Sequence, residues 1–286
     1  MNFFQTAADV FAPDGTSPGP ALARTTHLCL AAHQDDIEIM AQAGISECYG
    51  SAERFFTGVV VTDGAGAPRA GRYAKFDDDR MREVRRAEQR AAAALGKYNL
   101  QIQLAHPSGE VRSAGPTGVA ADLKAIFGAC DPQVIYLHNP ADKHDTHIAV
   151  LLRCLEALRA LPRARRPRRV LGCEVWRGLD WMADPDKVAL DAGRRPELAE
   201  ALIKVFDSQI AGGKRYDVAT IGRRAANATY DTPRQTDAAT AVTWAMDLTP
   251  LVADASLSVA DYTLGHVDRL RADIADRLKK FGAQGI

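Results

Sequence analysis

The chain has 286 residues, 47% apolar and 25% charged, enough for one large domain with a full core. Thirty-six basic residues balance 36 acidic ones, so no global field favours nucleic acid or an anionic membrane, and any partner is selected locally. No run reaches the ~18 apolar residues of a membrane span, and the first residues lack a signal-peptide pattern. Five scattered cysteines (Cys29, Cys48, Cys130, Cys154, Cys173) read as buried free thiols of a cytoplasmic protein.

In chain order, residues 1–24 hold Pro13, Gly15, Pro18, Gly19 and Pro20 with no sustained period. They predict an N-terminal arm outside the core, leaving residues 25–286 as a single α/β domain. The apolar run from Leu28 to Ala32 stops abruptly at His33-Gln34-Asp35-Asp36. A parallel strand covered on both faces reads this way, and its carboxyl end opens into the crevice where such folds bind ligands. Ile37–Tyr49 has helical spacing and closes at Gly50, and Phe55–Val61 is a second strand followed by the turn Thr62-Asp63-Gly64-Ala65-Gly66. The long basic loop to Phe76 is of a kind more often functional than idle. A helix is expected over Asp77–Leu95, where Met81, Val84, Ala87, Ala91, Ala92 and Leu95 form one stripe.

A strand at Gln101–Ala105 leads to His106-Pro107-Ser108-Gly109, a helix over 120–127 precedes a strand at 134–138, and Ile148–Leu161 reads as a helix. The Arg-rich stretch 163–169 is expected to be a solvated connector, with a phosphate or nucleic-acid patch as its alternative. A strand at Val170–Trp176 follows. The second half predicts a strand at 188–190, helices over 197–210 and 215–228, a late strand within 238–248 and a closing helix over Val259–Phe281. Strands alternating with helices at this spacing argue for a Rossmann-like, mostly parallel sheet flanked by helices, with extra C-terminal helices and a late strand.

Two strand ends carry the chemistry. The first ends in His33, Asp35 and Asp36; the second, Val134–His138, empties into Asn139-Pro140-Ala141-Asp142-Lys143-His144-Asp145-Thr146-His147. Taken singly each has a bland reading: a hydrogen-bonded core histidine, or acids at a helix N-terminus. Together, some 110 residues apart at the ends of two apolar strands, they point to a metal site. Arg85 is alternatively an exposed helix charge, His106 and His138 read as structural, and Trp176 and Trp181 as packing or cavity wall.

The His33-Gln34-Asp35-Asp36 end and the N-P-x-D-x-H-x-x-H-x-A-V run from Asn139 to Val150 resemble the zinc-dependent PIG-L/LmbE de-N-acetylases. Thr62 and Gly64 are similar to the family's T-x-G turn, Arg85 and Glu88 to its R-x-x-E, and Ser208-Gln209 to its late S-Q pair; residues 211–286 match nothing comparable. The resemblance implies zinc, with Fe2+ as an alternative, held by His33, Asp36 and His147. It makes Asp35 the general base and His144 the imidazolium that stabilises the oxyanion or protonates the leaving amine. Spacing alone does not tell Asp35 from Asp36. Substrate contacts are expected from Arg85, Asn139 and Asp142.

The implied activity is removal of an N-acetyl group from an N-acetylglucosaminyl-type amino sugar, by a protein with no nucleic-acid partner that forms a homo-oligomer or stands alone. The alternatives are an amidase on a thiol-sugar conjugate and a catalytically silent sugar- or nucleotide-binding protein, although no G-x-G-x-x-G follows the first strand. Three departures stand out: Gln34 replaces a proline and should loosen its turn, Thr146 replaces the aspartate that would orient His144, and Ser108 replaces a sugar-binding aspartate. The role lost at Thr146 is expected to pass to Asp142 or Asp145, or else the acid is weaker here.

Overall fold

Side-chain alternation along the apolar runs sets the layering. Leu28 and Leu30 point into one hydrophobic layer with Ile135, Leu137 and Leu104, while Cys29 and Ala31 point into the other with Tyr136 and Val60. In the computed structural model, which describes residues 2–113, 115 and 118–282, the first half runs β1 (Asp9–Phe11), α1 (Pro18–Ala23), β2 (His27–Ala31), α2 (Asp36–Met40), α3 (Gln42–Cys48), β3 (Phe56–Thr62), α4 (Asp78–Leu95), β4 (Leu100–His106), α5 (Ser108–Arg112), α6 (Gly118–Ala129) and β5 (Val134–His138). The second half runs α7 (Asp145–Arg159), β6 (Arg169–Cys173), β7 (Lys187–Asp191), α8 (Pro196–Lys204), α9 (Asp207–Ile210), α10 (Tyr216–Thr229), β8 (Val242–Asp247), α11 (Thr249–Ala253) and α12 (Val259–Lys280).

The eight strands form one sheet in the order β1-β4-β3-β2-β5-β6-β8-β7. The five in the middle are parallel, whereas β1 joins β4, and β8 joins both β6 and β7, antiparallel. From β2 the chain builds outward through β3 and β4, then returns to the other flank of β2 as β5. That reversal leaves a crevice beyond the carboxyl ends of β2 and β5, the place where open α/β sheets bind ligands. All five cysteines are buried and unpaired, and no helix among the described residues is long and apolar enough to cross a membrane.

Several expectations are corrected. Residues 1–24 are not free of core elements: β1 extends the sheet, and Ala21 and Leu22 of α1 are fully buried. Both pieces are too short for a period to show. The helix expected over 37–49 breaks at Ala41 into α2 and α3, and that over 197–210 divides at Val205-Phe206. The Arg-rich stretch is the solvated connector expected, with Arg163, Arg165, Arg168 and Arg169 exposed, but two of its arginines also cap helices. Arg165 donates to the Phe127, Gly128 and Cys130 carbonyls, and Arg166 to those of Arg159, Leu161, Val252 and Ala253. These are the unpaired carbonyls at the C-terminal ends of α6, α7 and α11, where a guanidinium supplies both donors and favourable charge.

Candidate metal centre

Asp35 makes the turn from β2 into α2 with φ at 93°, a conformation rare for a residue with a side chain. Partners on three elements hold it there. The Gln89 amide of α4 faces the Asp35 N–H and donates to Glu38 at 2.9 Å, and Arg85 of α4 donates to both the carbonyl and the side chain of Gln34. Gln34 in turn donates to Gln103 of β4 at 3.2 Å. The departure at Gln34 therefore tightens this turn instead of loosening it. Thr62 closes the neighbouring strand end by donating to the Ala32 carbonyl at 2.8 Å.

The turn brings three donor atoms to one point. His33 Nδ1 lies 3.2 Å from Asp36 Oδ2 and 3.2 Å from His147 Nε2, which is 3.3 Å from Asp36 Oδ2. Ligands ~2.0–2.1 Å from a tetrahedral metal stand ~3.3 Å apart, so the triangle has the edge lengths of a zinc-type site. The tautomer fits as well. His147 Nδ1 is 3.2 Å from the buried Asp142 carboxylate, so that nitrogen carries the hydrogen and Nε2 offers its lone pair to the centre. Two facing imidazole nitrogens and a carboxylate oxygen are satisfied together by a cation. His138 does not join them, because its Nε2 accepts the Ala32 N–H at 2.9 Å. It is the hydrogen-bonded core histidine the sequence suggests.

The electrostatics follow from burial and neighbours. Burial alone would raise the Asp36 pKa, but His147, His33 and His138 outweigh it and hold the carboxyl well below its usual range. Burial likewise opposes charge on His147, yet Asp36 and Asp142 raise its pKa to about 9. Burial pushes Asp35 well above the usual carboxylate range, with Arg85, 3.7 Å away, opposing and Asp36 and Glu38 reinforcing. His144 is held at about 4 by burial and by the nearby His147 and His33.

Around this point lies a cavity of about 650 Å³. The metal-site end is formed by His33, Asp35, Asp36 and His144, the walls by Trp176, Tyr216 and the loop at Gly64–Pro68, and the rim carries Arg112, Lys143, Lys214 and Arg223. Arg85 reaches the cavity with a buried Nη1 that has no protein partner. It is not the exposed helix charge. Two substrate-contact expectations are corrected: Asn139 is fully buried and donates to the Cys173 carbonyl, and Asp142 bonds His147 and the Trp176 N–H. Both shape the strand end and leave no edge toward the cavity. Neither Asp142 nor Asp145 orients the His144 ring, whose Nδ1 has no protein partner. Sequence reasoning missed Gln89, Tyr216, Lys214 and Arg223, which no motif or period marks. Glu88 was legible, and its role is now physical: it accepts from the Ser208 N–H at 2.7 Å and hydroxyl at 2.6 Å, tying α4 to α9 and seating Gln209 on the cavity wall.

A family model described as PIG-L: GlcNAc-PI de-N-acetylase matches residues 28–158, the span holding all three converging donors. This stretch matches the PIG-L domain. No protein of curated function matches the chain by sequence. Among solved structures, N,N'-diacetylchitobiose deacetylase from Pyrococcus horikoshii is 15% identical, with a TM-score of 0.63 over 85% of this chain and 90% of its own. The 4-carboxy-2-hydroxymuconate hydratase from Pseudomonas putida is 15% identical, with a TM-score of 0.59 over 78% and 96%. The zinc-inhibited form of a teicoplanin deacetylase is 14% identical, with a TM-score of 0.53 over 78% and 97%. At such identities the likeness is one of fold. Since the PIG-L architecture also serves a hydratase, chemistry has to be argued from the site.

Proposed function

We propose that the protein is a metal-dependent hydrolase that removes the N-acetyl group of an N-acetylglucosaminyl compound. The convergence of His33, Asp36 and His147 at tetrahedral spacing, with Asp35 beside it in the same cavity, carries this reading. Zinc is the metal favoured by a two-histidine, one-carboxylate set with room left for substrate, and Fe2+ suits the same donors. A zinc ion held there polarises a carbonyl and acidifies water, which is the chemistry amide hydrolysis needs.

The chain's own groups supply the rest. Asp35, beside the metal site in the same cavity, takes the proton of the attacking water and passes it to the departing amine. His144, neutral at working pH, offers a ring N–H to the carbonyl oxygen as negative charge develops. The Arg85 guanidinium at the cavity edge supplies donors for the sugar's oxygens, and the edge-to-face Trp176 and Tyr216 rings, with centroids 6.2 Å apart, form one wall for an apolar sugar face. The cationic rim suits a conjugate whose second part is polar or anionic.

The test is to incubate the zinc- or iron-loaded protein with N-acetylglucosamine, diacetylchitobiose and a thiol-linked N-acyl amino sugar, measuring acetate, larger acyl products and free amine. Equal amounts of acetate and amine from an acetylated sugar support the reading. Release of larger acyl groups alone favours the thiol-sugar amidase, and intact amides throughout defeat hydrolysis altogether.

A further inference from the structure

The closing helix leaves an ordered apolar stripe uncovered. The first turns of α12 dock on the body through the Tyr262 hydroxyl, which donates to the Asp247 carbonyl at 2.6 Å, and through His266 and Arg269, which face Asp186. About 150° around the helix from those residues, on the geometry of 3.6 residues per turn, lie Leu264, Val267, Ile274 and Leu278, with Phe281 just beyond the last turn. All five are between 38% and 83% exposed. Their spacing of three, seven, four and three residues is that of alternating a and d heptad positions, with Arg271 completing the series. From residue 271 onward α12 is exposed on nearly every side. An unsupported helical end of about ten residues is marginal, so such an apolar stripe calls for a cover.

We propose that the cover is α12 of a second copy of this chain, lying antiparallel about a dyad between Ala272 and Asp273. In that register Leu264 meets the partner's Phe281, Val267 meets the partner's Leu278, and Arg271 meets the partner's Ile274. Charge selects the direction. The first half of the helix carries Asp261 and Asp268 against Arg269, a net charge of −1, whereas the second carries Arg271, Arg277, Lys279 and Lys280 against Asp273 and Asp276, a net charge of +2. Antiparallel pairing sets acidic half against basic half and opposes the two helix dipoles, while a parallel pair would stack Arg271 on Arg271 and gather both lysine pairs at one end. The contact is isologous, so it closes at two copies and presents no surface for open-ended growth. It lies outside the metal cavity and does not depend on the activity proposed above.

Sedimentation velocity of the full chain from about 1 to about 100 µM should show a concentration-dependent dimer. Leu264→Asp/Leu278→Asp should sediment as a folded monomer with its metal content intact. Because the native cysteines are buried, introduced thiols report the register: Val267→Cys/Leu278→Cys should form a covalent dimer on mild oxidation, and neither single variant should. A wild-type chain that stays monomeric throughout the range, including one that binds phosphatidylglycerol vesicles as a monomer, overturns the proposal. So does a dimer that survives both aspartates, or cross-linking by Val267→Cys alone.

Discussion

Asp35 joins backbone strain to chemistry, since its φ of 93° aims the carboxyl into the cavity while Asp36, next in the chain, turns toward the histidines. Asparagine has the shape of aspartate and asks nothing new of this backbone or its packing. Asp35→Asn should therefore keep the fold and a stoichiometric metal, and lose about 10²-fold or more in kcat as a general base is removed; metal analysis beside steady-state kinetics checks both halves. His147 makes a second prediction. Its ring must shed a proton before holding a metal, and in the metal-free protein its pKa is about 9. Below that pH, metal uptake should release this proton and affinity should fall about tenfold per pH unit; calorimetry in buffers of different ionisation heat counts the protons. The same shift stabilises the metal-free fold fully below the unperturbed value of 6.5, and that contribution is lost as pH rises through about 9. His144, at about 4, stays neutral through the physiological range. Thr146→Asp should raise it by placing a carboxylate beside the ring, a change that ring-proton NMR against pH would register. The sequence marked the ligands because metal chemistry restricts residue type and spacing. It misassigned Asn139 and Asp142 because a side chain bonded behind a ligand and one facing the cavity look alike in a motif.

Turns at the strand ends are set by partners from distant elements. Gly64 lies at φ +77°, and a Cβ there would come within 2.5 Å of Gln34 Oε1 and 3.3 Å of Arg85 Cβ. Gly64→Ala should cost about 1–3 kcal/mol through backbone strain and displaced neighbours, lowering the thermal midpoint and weakening the hold on Asp35. Little change in either would mean that the turn is softer than its packing indicates. Several elements were legible from pattern alone: β2, β3 and β5 as unbroken apolar runs, and α4 as a helix whose N-cap Asp77 accepts the Arg80 N–H at 2.8 Å. The face α4 buries was not: it is Met81, Arg85, Gln89, Ala92 and Ala93, while Ala87, Ala91 and Leu95 of the expected stripe are exposed, because polar side chains of this helix hold the turn at Gln34-Asp35. The break at Ala41 and the capping role of Arg165 and Arg166 were not legible either. At the first, buried Arg224 of α10 donates to the Glu38 and Ile39 carbonyls, which a continuous helix would pair with Gln42 and Ala43. The second depends on helix ends brought near by the sheet's winding.

Across the whole molecule, alternating strands and helices foretold a mostly parallel sheet, but not its order. β7 and β8 were legible as strands, but their antiparallel pairing at one edge was not, and β1 at the other edge is too short for its run to show a period. What the order does is bring the ends of β2 and β5 together, although His33 and His147 are 114 residues apart. The central claim is that this junction holds a catalytic metal. The direct measurement is a titration of chelator-treated protein with zinc, and separately with Fe2+, following acetate released from an acetylated amino sugar. The account predicts no release without metal and a rise that breaks at one equivalent per chain, absent in His147→Ala. Full activity in the metal-free protein, or an unchanged titration after His147→Ala, would contradict it.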